Sequence, residues 1–271
     1  MRIPLFFLLL SLTAFAQTPP GIDKPILSNA ILKECYDSDS RFYCNKHMLE
    51  NLISSVITDD LITDLPSENK KNFSLSCLFF TGKDGKVIPE FTEVRSESNK
   101  LKEAITLYIN SSFPEFLSKN IKYTEQRSAH IVSVTYIRNP KTNGYYIANE
   151  SDIKKNKIQT NYITPEKAPL FFGCADEISY EKQLECTQKK IYDYIVKNYR
   201  KPKSELYANL LIQLTVDSDG KVHVNDIMGS SPNEYEYEVY RVVNTLPVLK
   251  PAIIKGISST ISFRIPPLAF K

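Results

Sequence analysis

Leu210-Leu211-Ile212-Gln213-Leu214-Thr215-Val216-Asp217-Ser218-Asp219-Gly220-Lys221-Val222-His223-Val224 holds the key to the chain's architecture. Leu210, Ile212, Leu214 and Val216 alternate with the period of two that places one face of a strand against a core. Asp217 to Gly220 then supplies a turn, and Lys221–Met228 alternates again, so the stretch predicts a hairpin with strands over Tyr207–Val216 and Lys221–Met228. The same grammar stands earlier. Leu75, Cys77, Phe79 and Thr81 precede Asp84-Gly85 as Leu210, Ile212, Leu214 and Val216 precede Asp219-Gly220.

Outward from the hairpins, the correspondence continues. Leu49, Leu52 and Ile53 stand five, eight and nine positions after Cys44, and Ile191, Tyr194 and Ile195 stand at the same offsets after Cys186. Both sets mark the apolar stripe of a helix. In the first copy Asn45 is the expected cap. A second helix over about Asn99–Asn110 stops before Phe113-Pro114, and His130–Arg138 alternates as a closing strand that Asn139–Gly144 turns into Tyr145–Ala148. Pro89 in the run after Lys86 marks an edge or a bulge. In the second copy Leu184–Tyr199 is helical and Ser231-Pro232-Asn233-Glu234 has the form of a capping box. The following helix carries Val239, Val242, Val243 and Leu246 inward, and Ser258–Ile265 is the final strand, ended by Pro266-Pro267. The expected fold is α+β: two tandem small domains, each a three-stranded antiparallel sheet covered by two helices. They span residues 25–148 and 169–271, with a polar, lysine-rich linker over 149–168.

With 271 residues, 42% of them hydrophobic and 24% charged, the composition is that of a globular protein. A net charge of +3, dispersed along the chain, does not suit nucleic acid. Arg2, the apolar run Leu5–Phe15, and Ala14-Phe15-Ala16 before Gln17 predict a signal peptide over residues 1–16, and hence the periplasm or the cell exterior. Export permits disulfides, and the five cysteines divide by position. Cys35 with Cys44 and Cys174 with Cys186 are close enough to pair locally, each pinning an entering segment to a helix. Cys77 is left over in the slot that Ile212 fills in the other copy, where a buried small hydrophobe is expected.

Chemistry-bearing patterns are missing. His47, His130 and His223 are scattered over different elements without a second ligand type at metal spacing. Asp217–Gly220 lacks the later acidic ligands of a calcium loop and is read as a turn. No nucleophile elbow, phosphate-cradling loop or zincin helix occurs. The Tyr235-Glu236-Tyr237-Glu238 run is expected in a solvated first turn of a helix. Asn72, Asn110 and Asn149 head Asn-x-Ser sequons, which matter only in a eukaryotic secretory system. The expectation is a protein without enzymatic activity, cofactor or metal.

Assembled in order, the second copy resembles the TonB C-terminal domain family of Gram-negative envelopes, in its cysteine-bearing, Bacteroidetes-type form. The resemblance rests on Pro169-Leu170-Phe171-Phe172-Gly173-Cys174, Cys186, and Tyr199-Arg200-Lys201-Pro202 where the family has Tyr-Pro. It continues through Leu210–Asp217, Asp219-Gly220-Lys221-Val222, Ser230-Ser231-Pro232 where Ser-Ser-Gly is usual, Val239–Pro247, Lys250-Pro251 and Ile261–Pro266. It covers about a hundred residues, and the first copy looks like a diverged companion. The resemblance implies two helices against a three-stranded sheet, and recognition of a short segment of an outer-membrane protein by strand pairing. The implied docking edge is the final strand: Ser258, Ser259, Thr260, Ile261, Ser262, Phe263, Arg264 and Ile265. The expected partner is therefore an extended segment of an envelope or outer-membrane protein, with no nucleic acid and no small-molecule substrate. Two alternatives stand beside it. One is an energy transducer for outer-membrane transport with a retained N-terminal anchor. The other is a structural envelope protein, such as a homodimer, assembling through its sheet edges.

Overall fold

The computed structural model describes residues 30–38, 40–66, 71–117, 127–142, 144–158, 160, 162–175, 179–202, 207–230 and 233–270. The expected signal peptide, Asn143 of the first closing turn and Ser231-Pro232 of the capping box lie outside the described residues. The chain is mixed α and β, with antiparallel sheets and five α-helices among the described residues.

The order of elements is β1 (Ile31–Leu32), α1 (Arg41–Ser54), β2 (Asn72–Thr81), β3 (Val87–Arg95), α2 (Asn99–Ser112), β4 (Phe116–Leu117), β5 (Ser128–Arg138), β6 (Tyr145–Ile147) and α3 (Glu150–Lys155). There follow α4 (Tyr180–Asn198), β7 (Ala208–Val216), β8 (Val222–Ser230), α5 (Asn233–Val243), β9 (Ala252–Ile254), β10 (Ile257–Ser259), β11 (Ile261–Arg264) and β12 (Leu268–Phe270). The first large sheet has the order β3-β2-β5-β6; in the second, β7 pairs β8 on one side and both β11 and β12 on the other. Each therefore has more strands than the three expected. β6 adds a short fourth strand to the first sheet, and in the second Pro266-Pro267 interrupts the pairing before β12 resumes it.

The duplicated grammar has a geometric counterpart at the hairpins. Gly85 and Gly220 have φ of 77° and 83°, which a side chain rarely adopts. A Cβ at Gly85 would stand 1.9 Å from the Phe116 carbonyl oxygen, and one at Gly220 would stand 1.8 Å from that of Leu249. In return the Phe116 amide donates to the Gly85 carbonyl at 2.9 Å and the Leu249 amide to the Gly220 carbonyl at 2.8 Å. Both strand pairs also shift register at matching places, between Leu78 and Phe80 and between Gln213 and Leu214. The first shift falls opposite the part of β3 that holds Pro89, and β3 is an edge strand.

Each sheet buries one face under its helices. Leu75, Cys77 and Phe79 pack with Leu49 and Ile53 of α1 and Leu101, Ile105 and Ile109 of α2. Leu210, Ile212 and Leu214 pack with Ile191 and Ile195 of α4 and Val239, Val242 and Val243 of α5. Fully burying one such side chain contributes about 1.5–3 kcal/mol, so each stripe is a dominant stabilising term. Tyr235 departs from the solvated position expected of it. It is wholly buried in the second core because α5 starts there with that side facing the sheet, and its carbonyl accepts from the Tyr199 hydroxyl at 3.0 Å.

The outer face of the first sheet is buried as well. Leu78, Phe80 and Ala129 meet Ile163, from the segment expected to be a bare linker, and Ile254, from the β9–β10 hairpin. That segment also contains α3, closed by a capping box from Asn149 to Asp152. The Ile163 amide donates to Ser76 Oγ at 2.9 Å, and Lys255 Nζ stands 3.1 Å from a carboxylate oxygen of Glu93. The outer face of the second sheet is polar, with Gln213 and Thr215 in place of Leu78 and Phe80 at the matching positions.

A cleft between the sheets

The first turn of α1 joins the two halves. Asn45 is not the cap expected of it: the helix begins at Arg41, and Asn45 Oδ1, now inside the helix, accepts the Leu32 amide at 2.8 Å. The earlier start brings Ser40 and Tyr43 to the second sheet. Ser40 Oγ donates to Asp226 of β8, and the Arg264 guanidinium of β11 lies 4.9 Å from the centre of the Tyr43 ring. The Cys35–Cys44 disulfide holds this turn, as Cys174–Cys186 holds the start of the matching α4. Disulfides are compatible with an oxidising extracytoplasmic compartment, and among the described residues no helix is long and apolar enough to cross a membrane.

Between α1, β5, the 163–165 segment and β11 lies a cavity of about 440 Å³. Ile131, Ile163, Ile254 and Ile261 supply its apolar floor, while Asn45, Ser133, Thr164, Thr215, Asn225 and Ser262 supply neutral polar groups. Two cations and one carboxylate stand on its walls. Lys46 Nζ stands 3.8 Å from Glu50, and buried Arg41 donates through Nε to the Tyr36 carbonyl at 2.8 Å with its guanidinium over the Tyr36 ring. Tyr180, at the rim, has its hydroxyl pKa pushed up to about 12 by burial, so it is a neutral hydrogen-bonding group there.

The expected docking edge borders this cavity, although it is not one strand. Ser258 and Ser259 belong to β10 and pair with β9, whereas Ile261, Ser262, Phe263 and Arg264 form β11 and pair with β7. The division follows from a turn the reading of Ser258–Ile265 as one strand missed. Lys255 and Gly256 have φ of 50° and 72°, the two positive values of a primed hairpin turn, and they fold Ile257 back onto Ile254. Thr260 lies between the strands, and Ile265 is buried in the second core. Thr260, Ile261 and Ser262 line the cavity. On its outer side β11 meets no strand among the described residues; the Arg264 carbonyl, at its end, accepts from Gln188 Nε2 at 2.8 Å.

The other sequence-marked residues lie elsewhere. Cys77 is the free cysteine, fully buried, its thiol pKa pushed up to about 12 by desolvation, which keeps it protonated and inert. His223 Nε2 stands 2.8 Å from Asp217 Oδ2, and the other oxygen of Asp217 accepts the Asp219 and Lys221 amides at 2.9 Å. Burial opposes ionisation of Asp217, but those partners prevail and hold its carboxyl below the ordinary range. This knot is the device of a turn. His130 is buried, stacked on Phe79 at 4.9 Å and tilted against Phe116 at 4.5 Å between ring centres, with Nε2 3.0 Å from Thr81 Oγ1. Burial pushes its pKa down to about 3, so it is neutral. Among the described residues no group of three or more His, Cys, Asp or Glu side chains gathers to hold a metal ion. Comparison with protein-family models, curated proteins and solved structures gave no match.

Proposed function

We propose that the protein is a periplasmic binding module that recognises an extended segment of an envelope or outer-membrane protein by strand addition at β11. On this reading the chain is two tandem domains, each built on a three-stranded antiparallel core, the β3-β2-β5 and β8-β7-β11 strands, with two helices over it. The observation that carries the proposal is that β11 has β7 on one side and no strand among the described residues on the other, while its Ile261 and Ser262 line a cavity. A strand edge offers main-chain donors and acceptors at a fixed repeat, and an added strand satisfies them whatever its side chains. The resemblance of the second copy to the TonB C-terminal domain family points the same way. The test compares wild type with Ser262→Pro as bait for envelope extract, with thermal melting to verify that the variant is folded. Equal recovery of the same proteins by both removes β11 as the docking edge.

The second reading, in which the edges serve assembly and no partner binds, draws on the Ser40–Asp226 and Tyr43–Arg264 contacts, which tie the first half to that strand. Hydrogen exchange separates the two. Protection of Ile261–Arg264 amides in the isolated protein equal to that of β7 supports assembly, and fast exchange on β11 alone supports an open edge.

A further inference from the structure

We infer that the recognised segment is held in the cavity between the sheets, by β5 and β11 together, and that its chemistry is a neutral extended peptide with alternate apolar side chains. This rests on the binding reading and adds to it a second wall, a location and a selectivity.

The argument starts from the edges. β5 pairs with β2 along its whole length, but β6 meets it only through Tyr136–Arg138. From Ile131 to Val134, then, β5 has no strand on its outer side among the described residues, and Ile131, Val132 and Ser133 line the same cavity as Ile261 and Ser262 of β11. A cleft bordered by two strand edges suits a segment that is itself extended, since such a segment carries main-chain groups on both sides. The volume, about 440 Å³, falls within the range of roughly 300–1,000 Å³ that ligand sites occupy.

The lining then selects among extended segments. Ile131, Ile163, Ile254 and Ile261 form a floor that an apolar side chain can cover, and Asn45, Thr164 and Ser262 face the groups around it. Of the charges on the walls, Lys46 pairs with Glu50 and Arg41 is held by the neutral Tyr36 carbonyl and ring, which leaves one positive charge in excess. A cationic ligand side chain would meet that excess, and an anionic one would give up its hydration for a guanidinium whose Nε is already engaged, so a charged side chain is costly there. A neutral one alternating apolar and hydroxyl groups matches both the floor and the rim.

The experiment titrates the full chain, in fluorescence anisotropy, with end-capped, dye-labelled pentapeptides in which threonine alternates with valine, aspartate or lysine. The valine peptide is expected to saturate at least tenfold more tightly than the charged ones. Lys46→Trp, on the exposed side of α1, and Ser262→Trp, on β11, each fill the cavity and are expected to weaken it at least tenfold. Leu107→Ala, on the exposed face of α2, is expected to leave it unchanged. If Ser262→Trp fails to melt cooperatively, Lys46→Trp alone decides. Loss on Ser262→Trp with no loss on Lys46→Trp overturns the composite cavity and leaves docking on β11 standing. Absence of saturable binding by any peptide overturns both, and equal binding of the charged and valine peptides overturns the selectivity.

Discussion

Acidification destabilises this protein in part through one buried imidazole, and the size of that part follows from its surroundings. His130 lies between Phe79 and Phe116 with Thr81 Oγ1 as its polar partner, and burial lowers its pKa to about 3. In the unfolded chain the imidazole has its ordinary pKa near 6.5. Below that value the unfolded state binds a proton that the folded state refuses until about pH 3, so stability is lost as pH falls through this window. At about 1.4 kcal/mol per pH unit, the step from about pH 7.5 to 4.5 removes roughly 2–3 kcal/mol.

The perturbation that isolates this term is His130→Phe. Phe263 occupies the matching place in the second sheet: Ser128 and Ile261 pair with Thr81 and Val216, so His130 and Phe263 correspond. The substitution strands the Thr81 hydroxyl, a cost of about 1–3 kcal/mol that does not depend on pH. The chain has no Trp, so urea unfolding is followed by circular dichroism at both pH values. The stability difference between wild type and variant is expected to move by roughly 2–3 kcal/mol in favour of the variant on acidification. Carboxylates contribute equally to both proteins and cancel. A difference that stays within about 0.5 kcal/mol across the two conditions refutes the argument, because a pKa as low as that of His130 obliges it to change.

Three further outcomes are expected. Thiol titration of unfolded, unreduced protein finds one reactive group, Cys77, and the folded protein shows none; three or five would break the assigned disulfides. Gly220→Ala, where a carbonyl stands 1.8 Å from the new Cβ, costs more than the roughly 1 kcal/mol of Gly256→Ala, which meets nothing within 4 Å, and equal losses in denaturant midpoint would contradict this. Between the halves, Ile254→Ala lowers stability by about 2–5 kcal/mol, whereas Lys255→Ala, whose side chain is 33% exposed, lowers it by less than about 1 kcal/mol; the reverse order in chemical denaturation would show that ionic rather than apolar contact joins them.

What was legible in the sequence was local. The Asp-Gly turns, the alternating strands before them and the helical stripes after the cysteines each depend on residues within a few positions, and each has its place in the fold. The cysteine pairs were legible for the same reason. The start of α1 was not, because Asn45 resembles a cap while its amide group is engaged by Leu32. The final strand was misjudged at its beginning, although Lys255-Gly256 between Ile254 and Ile257 was a turn signal. Ile163 and the cavity had no local signal at all. Its lining residues, from Ala30 to Ser262, meet only when both sheets exist, and the cleft is a property of their meeting.

The two halves differ where they touch, and this difference explains the cleft better than any shared feature. On the outer face of the first sheet Leu78 and Phe80 are apolar and must be covered; the connecting segment and the β9–β10 hairpin cover them through Ile163 and Ile254. At the matching positions of the second sheet, Gln213 accepts from Arg264 Nε at 3.3 Å and Thr215 is 2.8 Å from Ser262 Oγ. That face is satisfied by its own hydrogen bonds and has no comparable need of an apolar cover. The hydrophobic effect therefore draws the second half's hairpin onto the first sheet, while the second sheet meets the first turn of α1 through Ser40 and Tyr43 and the apolar cluster through Ile261. Contact made by a hairpin at one place and a helix turn at another leaves the space between them unfilled. The difference between the outer faces, rather than the likeness of the inner ones, thus accounts for the cleft beside β11.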